Sequence, residues 1–136
     1  MKKIFVLFFS IALLTACSND DNPKPEDDPV LGKWFIVEIN NGGSFQLTDC
    51  SRQSFIVFLN NGSTEPEFYS KPAEACIVNT DAGVWSNLGD SRYRFEIPFG
   101  DFGPINGRVE FTNETNLTFF PDLLVAQNTS IVFEKR

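Results

Sequence analysis

Carboxylates are the side chains of this sequence that could do acid–base chemistry, because it contains no histidine. Without histidine there is no Ser-His-Asp or Cys-His triad, no His-ligated zinc and no ordinary proton shuttle near neutral pH. A glycosidase would need two acids converging in one cleft, about 5–10 Å apart. The candidate acids all lie in polar or turn-like stretches typical of solvated surface: Asp49, Glu65, Glu67, Glu74, Asp81, Asp90 and Asp101. We therefore expect a non-enzymatic protein without catalytic residues or cofactors.

The composition also disfavours binding of metal ions, nucleic acid and anionic lipid. Asn79, Asp81 and Asp90 carry oxygens suited to calcium, but no EF-hand spacing surrounds them, so no metal site is predicted. The formal net charge is −7, and loss of Lys2 and Lys3 with a signal peptide would leave −9. Nucleic acid and anionic lipid are also negatively charged, so an acidic chain without a basic cluster is not expected to bind either.

Cys50 and Cys76 are the two cysteines beyond the N-terminal region. In an exported protein an even pair of cysteines indicates a disulfide. The alternative is a redox or metal-binding pair, which the lack of CxxC spacing and of histidine disfavours. We predict a structural bridge between Cys50 and Cys76.

Residues 1–17 are typical of a secretory signal. Lys2 and Lys3 precede an apolar run over 4–14, which is too short to span a bilayer. The tetrapeptide 14–17 (Leu-Thr-Ala-Cys) resembles the lipobox of bacterial lipoproteins. The resemblance implies cleavage before Cys17, a diacylglyceryl thioether on its sulfur and a further acyl chain such as palmitate on the new amino terminus. The alternative is a free cysteine in an ordinary signal peptide or signal anchor.

The residues after Cys17 predict where the domain is held. Ser18 stands where an aspartate would indicate inner-membrane retention, so the outer membrane is predicted, on its periplasmic face or at the cell surface. Residues 18–22 resemble the acidic export signal of Bacteroidetes surface lipoproteins, the alternative being a solvated spacer. Three prolines and five acids in 18–29 predict a disordered tether of about 30 Å, which leaves 30–136 as a single domain.

Residues 30–136 alternate apolar and polar side chains with a period of two. Turn signals such as 60–63 and 88–90 separate these runs. The fold class predicted is therefore all-β: a small antiparallel up-and-down barrel of about eight strands, or a sandwich, with one disulfide. The predicted strands are 31–39, 53–60, 64–70, 75–79, 83–88, 92–98, 106–112, 116–120 and 129–135.

Two runs, 34–39 and 55–59, are apolar on both faces. Strands of this kind are either covered on both sides or use one face to meet a partner or ligand. The sequence alone leaves both options open.

Residues spread over the whole domain resemble a known family. Gly32 and Trp34 at the start of the first strand resemble the Gly-x-Trp signature of lipocalins. The segments 31–34, 47–50, 58–62, 83–85 and 133–135 occur in the order seen in short lipocalin-like domains of Bacteroidetes lipoproteins. The resemblance implies that Trp34 plugs the closed end of a barrel and that Lys135 or Arg136 packs over its ring. The domain is shorter than a full lipocalin, which implies a shallower cup.

The function predicted from this resemblance is binding of a small apolar or amphipathic ligand at the open end of the barrel. The predicted lining is the inward-facing aromatic set: Phe55, Trp85, Tyr93, Phe95, Phe111 and Phe119. A register shift of one residue would turn Phe55 or Trp85 outward.

The alternative function is a protein-interaction or inhibitor module of the cell envelope. Such a module would have a barrel filled by its own side chains, which eight strands also permit. Its predicted contact surface is the loop 99–104, where two phenylalanines flank an aspartate between glycines. The same two rings could instead fold back over the barrel mouth.

Overall fold

The computed structural model describes residues 27–41, 46–97, 103–124 and 127–136. The predicted signal peptide, Cys17 and the tether residues 18–26 lie outside these ranges. The described residues form ten strands and one short 3-10 helix, Ser51–Gln53. The strands are β1 (Gly32–Asn40), β2 (Phe55–Phe58), β3 (Ser63–Ser70), β4 (Ile77–Asn79), β5 (Gly83–Val84), β6 (Ser86–Gly89), β7 (Arg92–Phe95), β8 (Ile105–Asn113), β9 (Asn116–Pro121) and β10 (Ser130–Lys135).

The strands form one antiparallel sheet that curls into a half-barrel. Its order is β4-β3-β2-β1-β10-β9-β8-β7-β6, so the first and last strands of the chain are neighbours. Only Trp85 separates β5 from β6, and β5 pairs with β3 while β6 pairs with β7. The segment 83–89 therefore links the two ends of the sheet. Strands β4, β5 and β6 together take the place of one interrupted strand, so the curled sheet has eight strand positions. This confirms the predicted all-β, antiparallel fold class.

Alternate residues of each strand point into the curl, as a period of two requires. On β7, Tyr93 and Phe95 are buried whereas Arg92 and Arg94 are exposed. The same alternation holds on β8, β9 and β10. The buried cluster that results consists of Val30, Trp34, Ile36, Ile56, Phe58, Trp85, Tyr93, Phe95, Val109, Leu117, Phe119, Ile131 and Phe133.

The predicted strands 75–79 and 83–88 differ from the observed ones. The first shortens to β4, and the second is interrupted at Trp85. The interruption has a local cause: the backbone N–H of Trp85 donates to Gly62 O at 2.8 Å, and its indole N–H donates to Leu59 O at 2.7 Å. Both bonds draw Trp85 towards the turn between β2 and β3, so it leaves the regular ladder.

Gly32 and Gly83 stand where the backbone approaches other groups closely. Gly32 has φ of +113°, and a Cβ built on it would lie 2.7 Å from Lys135 Cε. A Cβ on Gly83 would lie 2.7 Å from Thr64 Oγ1 and 3.0 Å from Glu96 Oε2. Real Cβ atoms essentially never make contacts of 2.7 Å, so both positions favour glycine.

The folded part begins before β1. Asp28 is only 4% exposed, and its Oδ1 accepts a hydrogen bond from the backbone N–H of Val30 at 3.0 Å. Val30 is fully buried in the core. The ordered structure thus includes Asp28, two residues before the domain boundary predicted at residue 30.

Candidate functional site

The predicted ligand-lining residues fall into three groups. Trp85, Tyr93, Phe95 and Phe119 lie in the core and are 6%, 3%, 1% and 0% exposed, respectively. Phe111 is half-buried and packs against that core. Phe55 lies on the opposite face of the sheet, because its neighbours Ile56 and Phe58 are the inward residues of β2.

The prediction that Phe55 lines the interior is therefore wrong, by the single register step that inverts a strand. Its ring lies 5.4 Å from the ring of Phe35 on the outer surface. Lys33 Nζ sits 3.4 Å from the Phe55 centroid and 5.0 Å from that of Phe35, and the Arg136 guanidinium is 5.0 Å from Phe35. The second apolar face of β1 and β2 is thus partly covered by cationic side chains lying over the rings.

Aromatic rings from opposite sides of the sheet meet in the interior. Phe95 lies 5.1 Å from Phe58, in a T-shaped contact, and 4.4 Å from Phe119. Phe133 also contacts Phe95, at 6.4 Å, and Trp85 contacts Phe58 at 5.9 Å. Such spacings are those of packed aromatic pairs. These side chains fill the centre of the curl with one another.

Trp34 lies in the core near the start of β1. It is fully buried, and its indole N–H donates to Val30 O at 2.6 Å. Lys135 Nζ lies 5.2 Å from the Trp34 ring, and Phe111 contacts the same ring at 6.2 Å. Of the two basic residues considered, Lys135 packs over Trp34 whereas Arg136 packs over Phe35.

A buried polar cluster next to Trp34 was not foreseen from the sequence. Asp28 Oδ1 accepts a hydrogen bond from the Tyr93 hydroxyl at 2.9 Å, and Asp28 Oδ2 accepts one from Asn87 Nδ2 at 2.7 Å. Burial, followed by the hydrogen bond to Asp28 and its negative charge, raises the pKa of Tyr93 well above its usual value. The sequence did not predict a role for Asp28 because this residue lies in an acidic, proline-rich stretch that has no periodic pattern.

Cys50 and Cys76 form the predicted disulfide, with their Cα atoms 5.8 Å apart. Cys50 is buried beside the 3-10 helix, and Cys76 immediately precedes β4. Thr48 and Ser51 bracket Cys50 with reciprocal hydrogen bonds of 2.8 and 3.1 Å between backbone N–H and hydroxyl groups. The bridge therefore ties β4 to a well-ordered turn.

Several exposed charges of the described residues form ion pairs on the surface. Ion pairs join Arg92 to Asp122, Arg108 to Glu110 and Arg136 to Glu134, and all six side chains are at least 41% exposed. In the described ranges no group of three cysteines or acids is placed to hold a metal ion. Of the predicted contact loop 99–104, only Gly103 and Pro104 are described.

Large exposed apolar side chains are a feature that the sequence reading missed. They are Ile77, Val78, Val84, Leu88 and Leu124. Four of them fall on β4, β5 and β6. In the sequence, residues 75–88 show only a short, interrupted alternation of apolar and polar side chains. That alternation does not indicate that the apolar side chains are exposed.

The N-terminal region matches a known sequence feature. Residues 1–18 match the family model of the prokaryotic membrane lipoprotein lipid attachment site. The chain is a membrane-anchored lipoprotein. Cys17 falls within the matched residues, as the lipobox resemblance implied. A comparison with curated proteins finds no match.

Across the part of the chain that is described, no helix has the length and apolar character needed to cross a bilayer.

Proposed function

We propose that this lipoprotein is a non-catalytic module of the cell envelope that binds another protein through the outer surface of its half-barrel. The observation that carries the proposal is the interior packing. An eight-stranded barrel is just wide enough either to fill with side chains or to hold one small ligand. Here Phe95 lies in the core and contacts the rings of both Phe58 and Phe119.

The small-ligand function predicted from the family resemblance is the rival. It requires aromatic side chains that are free to receive a ligand, but Tyr93, Phe95 and Phe119 are at most 3% exposed and each contacts another ring. The contact between Lys135 and the Trp34 ring supports the lipocalin-like resemblance for the fold. We do not propose a carrier activity.

Lack of catalysis is part of the proposal. The chain supplies no histidine to accept or donate a proton near neutral pH. For the membrane, we propose the outer membrane, because Ser18 rather than aspartate follows the lipidated cysteine. The proposed partner is then a protein of the periplasm or the cell surface.

Site-specific photo-cross-linking in living cells tests the module function. A photoreactive amino acid is placed one site at a time on each face: at Val57 on β2, Val78 on β4, Glu110 on β8 and Leu124. We expect a discrete protein adduct from one face and none from the others. If no position gives an adduct beyond the background of the unirradiated cells, the module function is wrong.

Tryptophan fluorescence tests the rival. The mature lipoprotein in nanodiscs is titrated with fatty acids of 10 to 18 carbons, because Trp34 and Trp85 both report on the interior. We expect no saturable change, since the rings of the core already contact one another. Saturable quenching that is lost on changing Phe95→Trp, which overfills the same centre, would support the carrier function instead.

A further inference from the structure

Four of the five large apolar side chains that are exposed in the described residues lie within the single segment 77–88. Ile77 and Val78 are 51% and 47% exposed, Val84 is 58% exposed and Leu88 is 47% exposed. Single exposed apolar residues are ordinary on a protein surface, so it is their concentration in one short segment that distinguishes these four. The group lies on one interrupted strand rather than scattered over the barrel.

Within the part of the chain that the structure describes, strand β4 is paired along one edge only. It pairs with β3 through Tyr69 opposite Val78, Phe68 opposite Asn79 and Ser70 opposite Ile77. β4 ends the sheet order, and among the described strands none pairs with its other edge. An unpaired edge offers backbone N–H and C=O groups at strand spacing to any extended chain. The sequence of β4, Ile-Val-Asn, has neither the proline nor the lysine that commonly blocks such an edge.

The disulfide prepares this edge for binding. Cys76 immediately precedes β4 and is bonded to Cys50, which is 7% exposed. On the side of β3, the backbone N–H of Tyr69 donates to Ser54 Oγ at 2.9 Å. Both connections attach the hairpin of β3 and β4 to the body of the domain. A partner would therefore meet a strand that is already ordered, which lowers the entropic cost of association.

Charges next to β4 indicate the chemistry of the partner. Glu74 and Asp81 are exposed on either side of the strand, and neither forms an ion pair within the described residues. Lys71 is the one cation in residues 70–82. A segment that pairs with β4 would pass close to both carboxylates, so lysine or arginine at its ends would be favoured.

A second copy of this chain fits the edge poorly. Antiparallel pairing of two β4 strands centred on Val78 would bring Glu74 of one copy close to Asp81 of the other. Like charges at such a site disfavour the pairing, and the whole chain is acidic, with a net charge of −7. The observations therefore favour a different protein over self-association.

We propose that β4 is a strand-addition site for an extended segment of a partner protein that is apolar at alternate positions and carries lysine or arginine at its ends. Main-chain hydrogen bonds to this edge would provide affinity, and contacts of the apolar positions with Val78, on one face of the strand, would provide selectivity. This inference rests on the proposed function as a protein-interaction module and names the surface and the class of partner.

Synthetic peptides test the site directly. The probe is an eight-residue peptide of alternating valine and threonine with two lysines at each end, and its matched analogue carries glutamates instead. Binding to the full mature lipoprotein in nanodiscs is measured by fluorescence anisotropy, together with amide hydrogen exchange of residues 77–79. We expect the lysine peptide to bind at least ten-fold more tightly than the glutamate peptide and to slow exchange at β4.

Variants separate the edge from the rest of the surface. Val78→Lys places a blocking charge on β4 and should weaken binding at least ten-fold, whereas Leu124→Lys, on another exposed apolar residue, should leave it unchanged. The double variant Glu74→Lys/Asp81→Lys should reverse the preference between the two peptides. Because all four side chains are exposed, these variants are expected to fold, and circular dichroism checks that they do.

Three results would overturn the site: absence of saturable binding, equal affinity for the two peptides, or an equal loss in the Leu124→Lys control. The peptide and cross-linking experiments fail independently. If the peptides do not bind but cross-links form through another face of the barrel, the β4 site is wrong and the module function stands. If no face forms cross-links, the module function itself is lost.

Discussion

The hydroxyl of Tyr93 on β7 donates a 2.9 Å hydrogen bond to Oδ1 of Asp28, which precedes β1 by four residues. Asn87 on β6 donates to the other carboxylate oxygen at 2.7 Å and also to the Tyr93 oxygen at 3.1 Å. A carboxylate that is 4% exposed needs such partners, because an unpaired buried charge is strongly destabilising. These contacts attach the segment before β1 to β6 and β7, which lie at one end of the strand order.

We predict that Asp28→Ala lowers the free energy of unfolding by about 2 kcal/mol, because it leaves the Tyr93 hydroxyl and the Asn87 amide without their acceptor. Urea denaturation followed by tryptophan fluorescence measures the change. Asp27→Ala is the matched control, since Asp27 is the adjacent residue and is exposed. An equal loss in the two variants would mean that the buried cluster does not stabilise the fold.

The raised pKa of Tyr93 predicts a loss of stability in alkali. The folded state favours the neutral phenol, so this contribution is fully present below the ordinary tyrosine pKa of about 10 and is lost as the pH rises above it. We expect the free energy of unfolding to fall between pH 10 and 12, and the fall to be smaller in Tyr93→Phe. An unchanged slope of the free energy of unfolding against pH in Tyr93→Phe would contradict the assignment.

The contact of Lys135 with Trp34 predicts a measurable cation–π contribution. Lys135→Met keeps the aliphatic stem but removes the charge that lies 5.2 Å from the ring, and should cost about 0.5–1 kcal/mol. Lys71→Met, on an exposed lysine outside this contact, should change stability by less than about 0.5 kcal/mol. Thermal unfolding of both variants checks the difference, and equal Tm values would show that the charge over the ring contributes nothing.

Removal of the disulfide should destabilise the domain and loosen β4. The chain-entropy argument gives about 3 kcal/mol for a loop closed by cysteines 26 positions apart. In the double variant Cys50→Ser/Cys76→Ser we expect that loss in urea denaturation, together with faster amide exchange at 77–79 than at β8. Uniform acceleration over the whole sheet would instead indicate that the bridge stabilises the domain without holding β4 in particular.

The lipid attachment site predicts that Cys17→Ala abolishes membrane anchoring. Acyl chains on Cys17 supply the affinity for the bilayer at about 0.8 kcal/mol per buried methylene. We expect the variant to lose the lipid label and the fractionation of the wild type, with Cys50→Ser/Cys76→Ser retaining both. Unchanged incorporation of labelled palmitate into Cys17→Ala would refute acylation at this residue.

Alternation and turn residues were sufficient to predict the all-β fold and the inward positions of Tyr93, Phe95 and Phe119, because period-two patterns report directly which face is buried. They failed at Phe55, since β2 is apolar on both faces and its register then carries no signal. Asp28 was missed because its role depends on Tyr93 and Asn87, which lie 65 and 59 positions away. The exposed side chains of β4 were missed for a similar reason, because whether a strand lies at the edge of a sheet depends on how distant segments pair.

The place of β1 in the sheet has a mechanical consequence. β1 is the first strand after the lipid attachment site at the N-terminus, and it pairs with β2 on one side and β10 on the other. A pull along the chain from the bilayer would reach the Asp28 contacts first and then load both ladders of β1 in parallel with the strand. Bonds loaded in that direction must break together rather than one after another. The N-terminal strand of the described fold is thus held by hydrogen bonds on both sides that resist a pull along the chain.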